Sequence, residues 1–431
     1  MKKYILALAS NRIVRNSSIL FIGSMICAVG NYLFHLITAR MLTVNAYGEM
    51  ESLIALFYII SVPAGTIMTV IIKYSAQFSA EGRLDKVHKL FTAFSHKLLL
   101  AGFICFIVIF FLSPWIAKFL QLSSVLPVII LGTIMITALL LSCGRGVLNG
   151  LQKFFSTAIN MVIEVLTKII LAFAFIYFAF GVNGAIGAIS IAALTAYLFV
   201  FKPLRFLLKE KIDETKIDYK EIFLFSLPTL FITLFLNLFY NVDVLLVKHF
   251  FDPSMAGQYS ALTVLGRIVF FVTMTISTVV FPLTAEAHTK NENHRKILNQ
   301  GFILVSLIAG TALFLFFSVP GLVIKILIGS KFLAVAPYLG WFGLAMFFYS
   351  LVYLLTQYFL SIGKTKCLYI VTVGVAVQVT LIMLFHNSIV QIVQIMNVVM
   401  IGTTLALLIY YKKIGKILMV DRQQIQEVIT Q

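Results

Sequence analysis

The sequence predicts an all-α integral membrane protein with twelve transmembrane helices in two six-helix lobes. Three observations predict it. Hydrophobic residues make up 61% of the 431 and charged residues only 11%, whereas soluble domains carry about 25% charged residues. Apolar runs of the roughly 20 residues that a helix needs to cross a bilayer recur along the whole chain. Finally, Ala46-Tyr47-Gly48-Glu49-Met50 with Leu53 lines up with Met255-Ala256-Gly257-Gln258-Tyr259 with Leu262, at an offset of 209 positions.

In order, the apolar runs place helices 1 to 6 near 17–38, 52–72, 91–113, 122–142, 156–179 and 184–201. Helices 7 to 12 follow near 222–247, 258–283, 298–319, 334–357, 367–386 and 389–411. An even number puts both termini on one side, and positive charge in short loops identifies that side as cytoplasmic. Five Lys and Arg fall on the opposite side (Arg40, Lys118, Lys248, Lys325, Lys331) and two lie within helices (Lys168, Arg267), leaving 26 of the 33 on the side of the amino terminus. Miscounting one helix would move every later loop across the membrane and destroy this bias. The net charge of +17 is therefore a topology signal that also favours anionic lipid headgroups. No nucleic-acid partner is expected. The run from Tyr4 to Ala9 is too short for a signal-peptide core, so the amino terminus is expected to be uncleaved and the protein to lie in the cytoplasmic membrane.

The connection over residues 202–221 is the longest and most charged between helices. It divides the chain into an N-lobe (1–205), a cytoplasmic linker (206–217), a C-lobe (218–415) and a cytoplasmic tail (416–431). The repeat extends to Tyr74-Ser75-Ala76-Gln77 opposite Leu283-Thr284-Ala285-Glu286, and Pro114 with Pro127 has counterparts in Pro320 and Pro337. Repeats of six helices share one orientation, so the lobes are expected to be related by a pseudo-two-fold axis along the membrane normal, with a cavity between them.

Enzyme templates are missing from the sequence. It has no GxGxxG, Walker loop, HExxH or paired CxxC, and Cys27, Cys105, Cys143 and Cys367 have no metal-type spacing. They read as reduced packing residues, and neither a metal nor a cofactor is expected. His35 reads as an interior hydrogen-bonding residue. A polysaccharide polymerase or ligase needs a large outer loop with clustered acids, Arg or His, but the candidate between helices 3 and 4 carries only Lys118.

Ionisable residues in spanning segments are costly and mark function. Glu164 and Lys168 lie near mid-bilayer in helix 5, at the i, i+4 spacing that allows them to pair. Lys168 is a candidate for binding an anionic substrate and Glu164 for binding a proton. Arg267 in helix 8 is a candidate cavity-facing phosphate ligand, since a guanidinium offers a fixed fork of donors, and its expected neutraliser is Asp243 of helix 7 or Glu164. Asp243 is either an anchor for the turn between helices 7 and 8 or an ion-coupling carboxylate. Asn31, Asn160 and Gln378 add polar spots in apolar helices. Arg145 and Lys153 stand at the inner end of helix 4, where they enforce topology or meet headgroups.

Several of these runs together resemble the Wzx-like polysaccharide flippases of the multidrug/oligosaccharidyl-lipid/polysaccharide (MOP) exporter superfamily. They are Ala39-Arg40-Met41-Leu42 before Ala46-Tyr47-Gly48, the run Arg145-Gly146-Val147-Leu148-Asn149-Gly150-Leu151-Gln152, and Asp243 with Gly257-Gln258-Tyr259-Ser260-Ala261. The resemblance implies a MATE-like fold and a flippase that carries a polyprenyl-diphosphate-linked oligosaccharide to the outer leaflet by alternating access. It points to Arg40, Arg145, Asp243 and Gly257. The glycan lipid, membrane lipids and other polysaccharide assembly proteins are the partners it implies, with coupling to H+ or Na+. The peptidoglycan-precursor flippases of the superfamily look two helices longer. The closer rival is a MATE-type cation-coupled drug antiporter, whose cavity would be acidic. Here the deep residues are Lys168 and Arg267 against Glu164 and the shallower Asp243.

Overall fold

The structure, a computed structural model, describes residues 12–207, 219–290 and 292–429, with side chains over 19–20, 22–207, 230–290 and 292–413. Residues 208–217 of the expected linker lie outside the described residues, as do residues 1–11 and the side chains of the expected tail. The described residues form fourteen α-helices and one 3-10 turn, with no strand among them. Eleven helices are long and apolar enough to cross a membrane, or twelve when a bent pair counts as one span. Contacts divide the chain into two compact units, Met1–Thr233 and Leu234–Gln431.

The first unit holds α1 (Arg12–Met41), α2 (Val44–Ile60), α3 (Val62–Ala80), α4 (Leu84–Phe119), α5 (Leu126–Gly150), α6 (Phe154–Tyr177) and α7 (Gly181–Leu204). Sequence reading gives one helix over 52–72, but the structure breaks it into α2 and α3, bent by 42°. The cause is Pro63, which lacks an N–H and whose ring clashes with the carbonyl four residues back. Helices α1 and α6 cross closely. A Cβ added at Gly23 would lie 2.7 Å from Ala158 Cβ, and one at Gly30 would lie 2.7 Å from Val165 Cγ2. Small residues at such a crossing let the backbones approach, as is common between helices in lipid.

The second unit takes in most of α8 (Tyr219–Phe250), together with α9 (Pro253–Thr289), α10 (His294–Ser318), α11 (Pro320–Leu327), the 3-10 turn Ser330–Val335, α12 (Ala336–Ser361), α13 (Cys367–Leu384) and α14 (Ile389–Ile429). The expected tail from 416 onward is a helical continuation of α14. Large apolar side chains such as Phe111 and Phe314 are at least 70% exposed, which is the surface a lipid-facing helix presents because hydrocarbon, unlike water, is a good solvent for it.

The internal repeat survives as matching local chemistry. Thr43 caps α2 by accepting from Ala46 N at 3.3 Å. Asp252, at the same offset of 209 positions, caps α9 by accepting from Ser254 N and Met255 N at 2.9 and 3.0 Å. Both satisfy backbone donors that a helix start leaves orphaned. The next turn in each case ties down a loop. Glu49 accepts from Ser123 N and Ser123 Oγ at 3.1 and 2.9 Å, and its counterpart Gln258 donates to Lys331 O at 2.8 Å.

Candidate functional site

In the first unit, α6 carries a polar stripe at helical spacing, made of Thr157, Asn160, Glu164 and Lys168. Three- and four-residue steps keep side chains on one face. Thr157 Oγ1 donates to Asn149 Oδ1 at 2.9 Å. Asn160 is fully buried, donating to Ala196 O at 2.6 Å and accepting from Arg145 Nε at 2.7 Å. A second Arg145 nitrogen pairs with Glu164 Oε2 at 2.6 Å. Glu164 is therefore held by Arg145 of α5 rather than by Lys168, the partner its spacing suggested. A guanidinium supplies two donors in fixed geometry, here one to an amide and one to a carboxylate, and such charge-assisted contacts are stronger than neutral ones.

Lys168 instead donates to Asn31 Oδ1 of α1, with its ammonium 4.9 Å from the centre of the Phe34 ring. Asn31 is exposed and Lys168 only partly buried, so this end of the stripe keeps some exposed surface. Arg145 thus turns inward rather than toward headgroups. Lys153, just outside the spans, donates to Pro203 O at 2.9 Å and lies 3.7 Å from the Phe206 ring centre; burial lowers its pKa. Arg40 is exposed in the last turn of α1, where a cation complements the helix dipole.

Further along α1 toward its carboxyl end, His35 Nδ1 lies 2.6 Å from Glu51 Oε1 of α2. The Glu51 side chain is 4% exposed and that of His35 18%. Sequence reading missed this carboxylate, as it missed buried Glu49. The visible signal is Glu-Met-Glu one turn into a helix whose next residues are apolar.

In the second unit, Asp243 and Arg267 are sequestered. Asp243 has no exposed side-chain surface and Arg267 has 7%. Arg267 Nη2 lies 3.4 Å from Asp243 Oδ1 and donates to the Tyr240 carbonyl. Tyr259 OH donates to Asp243 Oδ2 at 2.8 Å. The guanidinium carbon lies 5.2 Å from the Tyr240 ring centre, within cation–π range. Arg267, expected to face a cavity as a phosphate ligand, is thus buried in its own unit, neutralised by one of the two acids that sequence reading offered. A lone charge at that depth would be costly, so the pair forms where both partners are available. The repeat partner of Arg145 is not Arg267: the ion pair of Arg145 joins α5 and α6, whereas that of Arg267 joins α8 and α9.

Fold and site together define a multi-pass helical membrane protein that keeps paired charges inside its spanning segments. Residues 13–288 match the sequence profile of the family described as polysaccharide biosynthesis protein. The chain belongs to that family, in line with the Wzx-like motifs around Arg40, Arg145 and Gly257. A membrane protein of Methanocaldococcus jannaschii, described as uncharacterized, is 24% identical over 275 residues, which span 58% of this chain and 62% of the relative's length. The fold is similar to that of an inward-facing multidrug resistance MATE family transporter of the MOP superfamily, with a TM-score of 0.77 at 13% identity over 90% of this chain and 96% of the other. It is also similar to the lipid II flippase MurJ in an inward closed conformation, with a TM-score of 0.71 at 16% identity over 91% and 87%. A MOP superfamily transporter from Pyrococcus furiosus, described as having a binding pocket of reverse polarity, gives 0.60 at 17% identity over 92% and 95%.

Proposed function

We propose that the protein is a flippase that moves a polyprenyl-diphosphate-linked oligosaccharide from the cytoplasmic to the outer leaflet of the cell membrane for surface polysaccharide biosynthesis. Family membership supports the pathway, and the charge of the stripe on α6 supports the substrate. Arg145 and Glu164 cancel each other, while Lys168 keeps a neutral amide as its hydrogen-bond partner. The stripe is therefore left one positive charge in excess, with that charge on the end that keeps some exposed surface. A cationic drug would be repelled there and a diphosphate attracted. In this reading Lys168 and Asn31 receive the diphosphate, Arg145 holds the stripe in register and reinforces its field, and Arg40 meets headgroup phosphates. Asp243 and Arg267 serve as the internal ion pair of the second unit. Segments 1–205 and 218–415 are the lobes that alternate access, joined by 206–217, with both termini cytoplasmic.

The test is transport by the purified protein in proteoliposomes loaded with a fluorescent polyprenyl-diphosphate oligosaccharide. Protein-dependent exposure of the glycan to an added glycosidase is expected. Movement of a lipophilic cation without movement of the glycan lipid would contradict the proposal and favour the drug antiporter.

A further inference from the structure

Among the repeat positions that differ between the two units are two acids of α2. At the offset of 209 positions, Glu49 corresponds to Gln258 and Glu51 to Ser260. The first of these positions ties down a loop in both units, so a neutral amide does that work as well as a carboxylate. The second position needs no acid for folding either, because Ser260 simply donates to the Ala256 carbonyl of its own helix at 2.9 Å. Glu51 is thus a buried carboxylate beyond the needs of the shared scaffold, and its 2.6 Å partner is a histidine. His35 in turn corresponds to the apolar, buried Val244. Of the two units, the first alone has both members of the pair.

Histidine is the side chain whose charge changes near neutral pH. His35 sits one helical turn, about 6 Å of rise, from Asn31, and Asn31 holds Lys168. Phe34 bridges the two places physically, with its ring 5.5 Å from the His35 ring and 4.9 Å from the Lys168 ammonium, centre to centre or to nitrogen.

We infer that His35 and Glu51 form a proton-binding site linked to anion binding at Lys168 and Asn31. This rests on the anion-site reading given above. Without the extra proton the pair carries one negative charge, and with it none. Proton uptake therefore removes a negative charge one turn from the anion site and strengthens anion binding, and by reciprocity a bound anion strengthens proton uptake. Among the described side chains, the other charged or titratable groups on the packed elements are Cys27, Tyr32 and Arg40 of α1, Tyr47, Glu49 and Tyr58 of α2, Glu164, Lys168 and Tyr177 of α6 and Cys143 and Arg145 of α5, while α7 carries none between Gly181 and Ala196. Of these, Glu49 is held by Ser123 and Glu164 by Arg145.

The experiment measures binding of inorganic diphosphate to the full-length protein in lipid nanodiscs at pH 5.5 and 8.0, comparing the unmodified chain with His35→Gln and Glu51→Gln. Titration of the probe itself is common to all three. The ratio of affinities at the two pH values is expected to be about tenfold larger for the unmodified chain than for either variant, the size of one unit charge acting at this range in a partly polar interior. Equal ratios would overturn the inference. A second measurement needs no ligand: titration of the His35 ring by NMR in 13C-histidine-labelled protein, with and without Lys168→Met. Removing the ammonium is expected to change that titration, and an unchanged titration would overturn the linkage. Should no variant bind diphosphate, the anion-site reading fails, and the histidine titration still decides whether the proton site exists.

Discussion

Arg267 and Asp243 meet inside the second unit, with a guanidinium nitrogen 3.4 Å from a carboxylate that has no exposed surface. Removing one partner of such a buried pair strands the other charge. Arg267→Ala is therefore expected to destabilise the protein by about 3–5 kcal/mol, read as a lowered unfolding midpoint in detergent. Combining Arg267→Met with Asp243→Asn removes both charges and is expected to restore most of that loss.

Tyr259 has the same carboxylate as its partner. Its hydroxyl donates to Asp243 Oδ2 at 2.8 Å in a fully buried setting, and a hydrogen bond to a charged group contributes about 1.5–3 kcal/mol. Tyr259→Phe is expected to cost that much in the same unfolding measurement. In the Arg267→Met, Asp243→Asn background the cost is expected to fall to about 1 kcal/mol, the net worth of a neutral hydrogen bond.

Much of the fold was legible because hydrocarbon permits few structures: apolar runs must be helices, and their loops must carry the charge bias. The break at Pro63 has its own local signal, but residues 52–72 are apolar on both sides of it and so read as one span. The charged residues were legible as a set but only partly as pairs. Spacing along one helix brought Glu164 to Lys168, whereas the structure gives Glu164 to Arg145 nineteen positions earlier, because the choice depends on which helix packs alongside. Asp243 was named from sequence as a partner for Arg267 because no acid in helix 8 was near enough. His35 and Glu51, sixteen residues apart on different helices, left no periodic trace at all.

The crossing of α1 and α6 sets the reach from Asn31 to Lys168. At Gly30 a Cβ would already lie 2.7 Å from Val165, so a larger side chain must push the helices apart. Gly30→Leu is expected to destabilise by about 1–3 kcal/mol through overpacking and to weaken diphosphate binding about tenfold. Calorimetry with inorganic diphosphate on the protein remaining folded reads the second effect separately from the first.

Glu164 offsets the charge of Arg145 across 2.6 Å. Glu164→Gln keeps the shape of the side chain and adds one positive charge to the stripe. Diphosphate affinity is expected to rise about three- to tenfold at low salt and to lose much of that gain at 0.5 M salt, because exposed charges are screened. A fall in affinity would place Glu164 among the ligand-facing groups.

The central claim is that the Lys168 ammonium receives the anionic head of the cargo. The most direct measurement is the rate of glycan-lipid flipping in proteoliposomes for Lys168→Met and Lys168→Arg, at matched amounts of inserted protein. Losing a charge-assisted contact worth about 1.5–3 kcal/mol predicts a drop of roughly ten- to hundredfold for the methionine variant, with the arginine variant retaining most of the rate. Flipping by Lys168→Met at the unmodified rate would contradict the account.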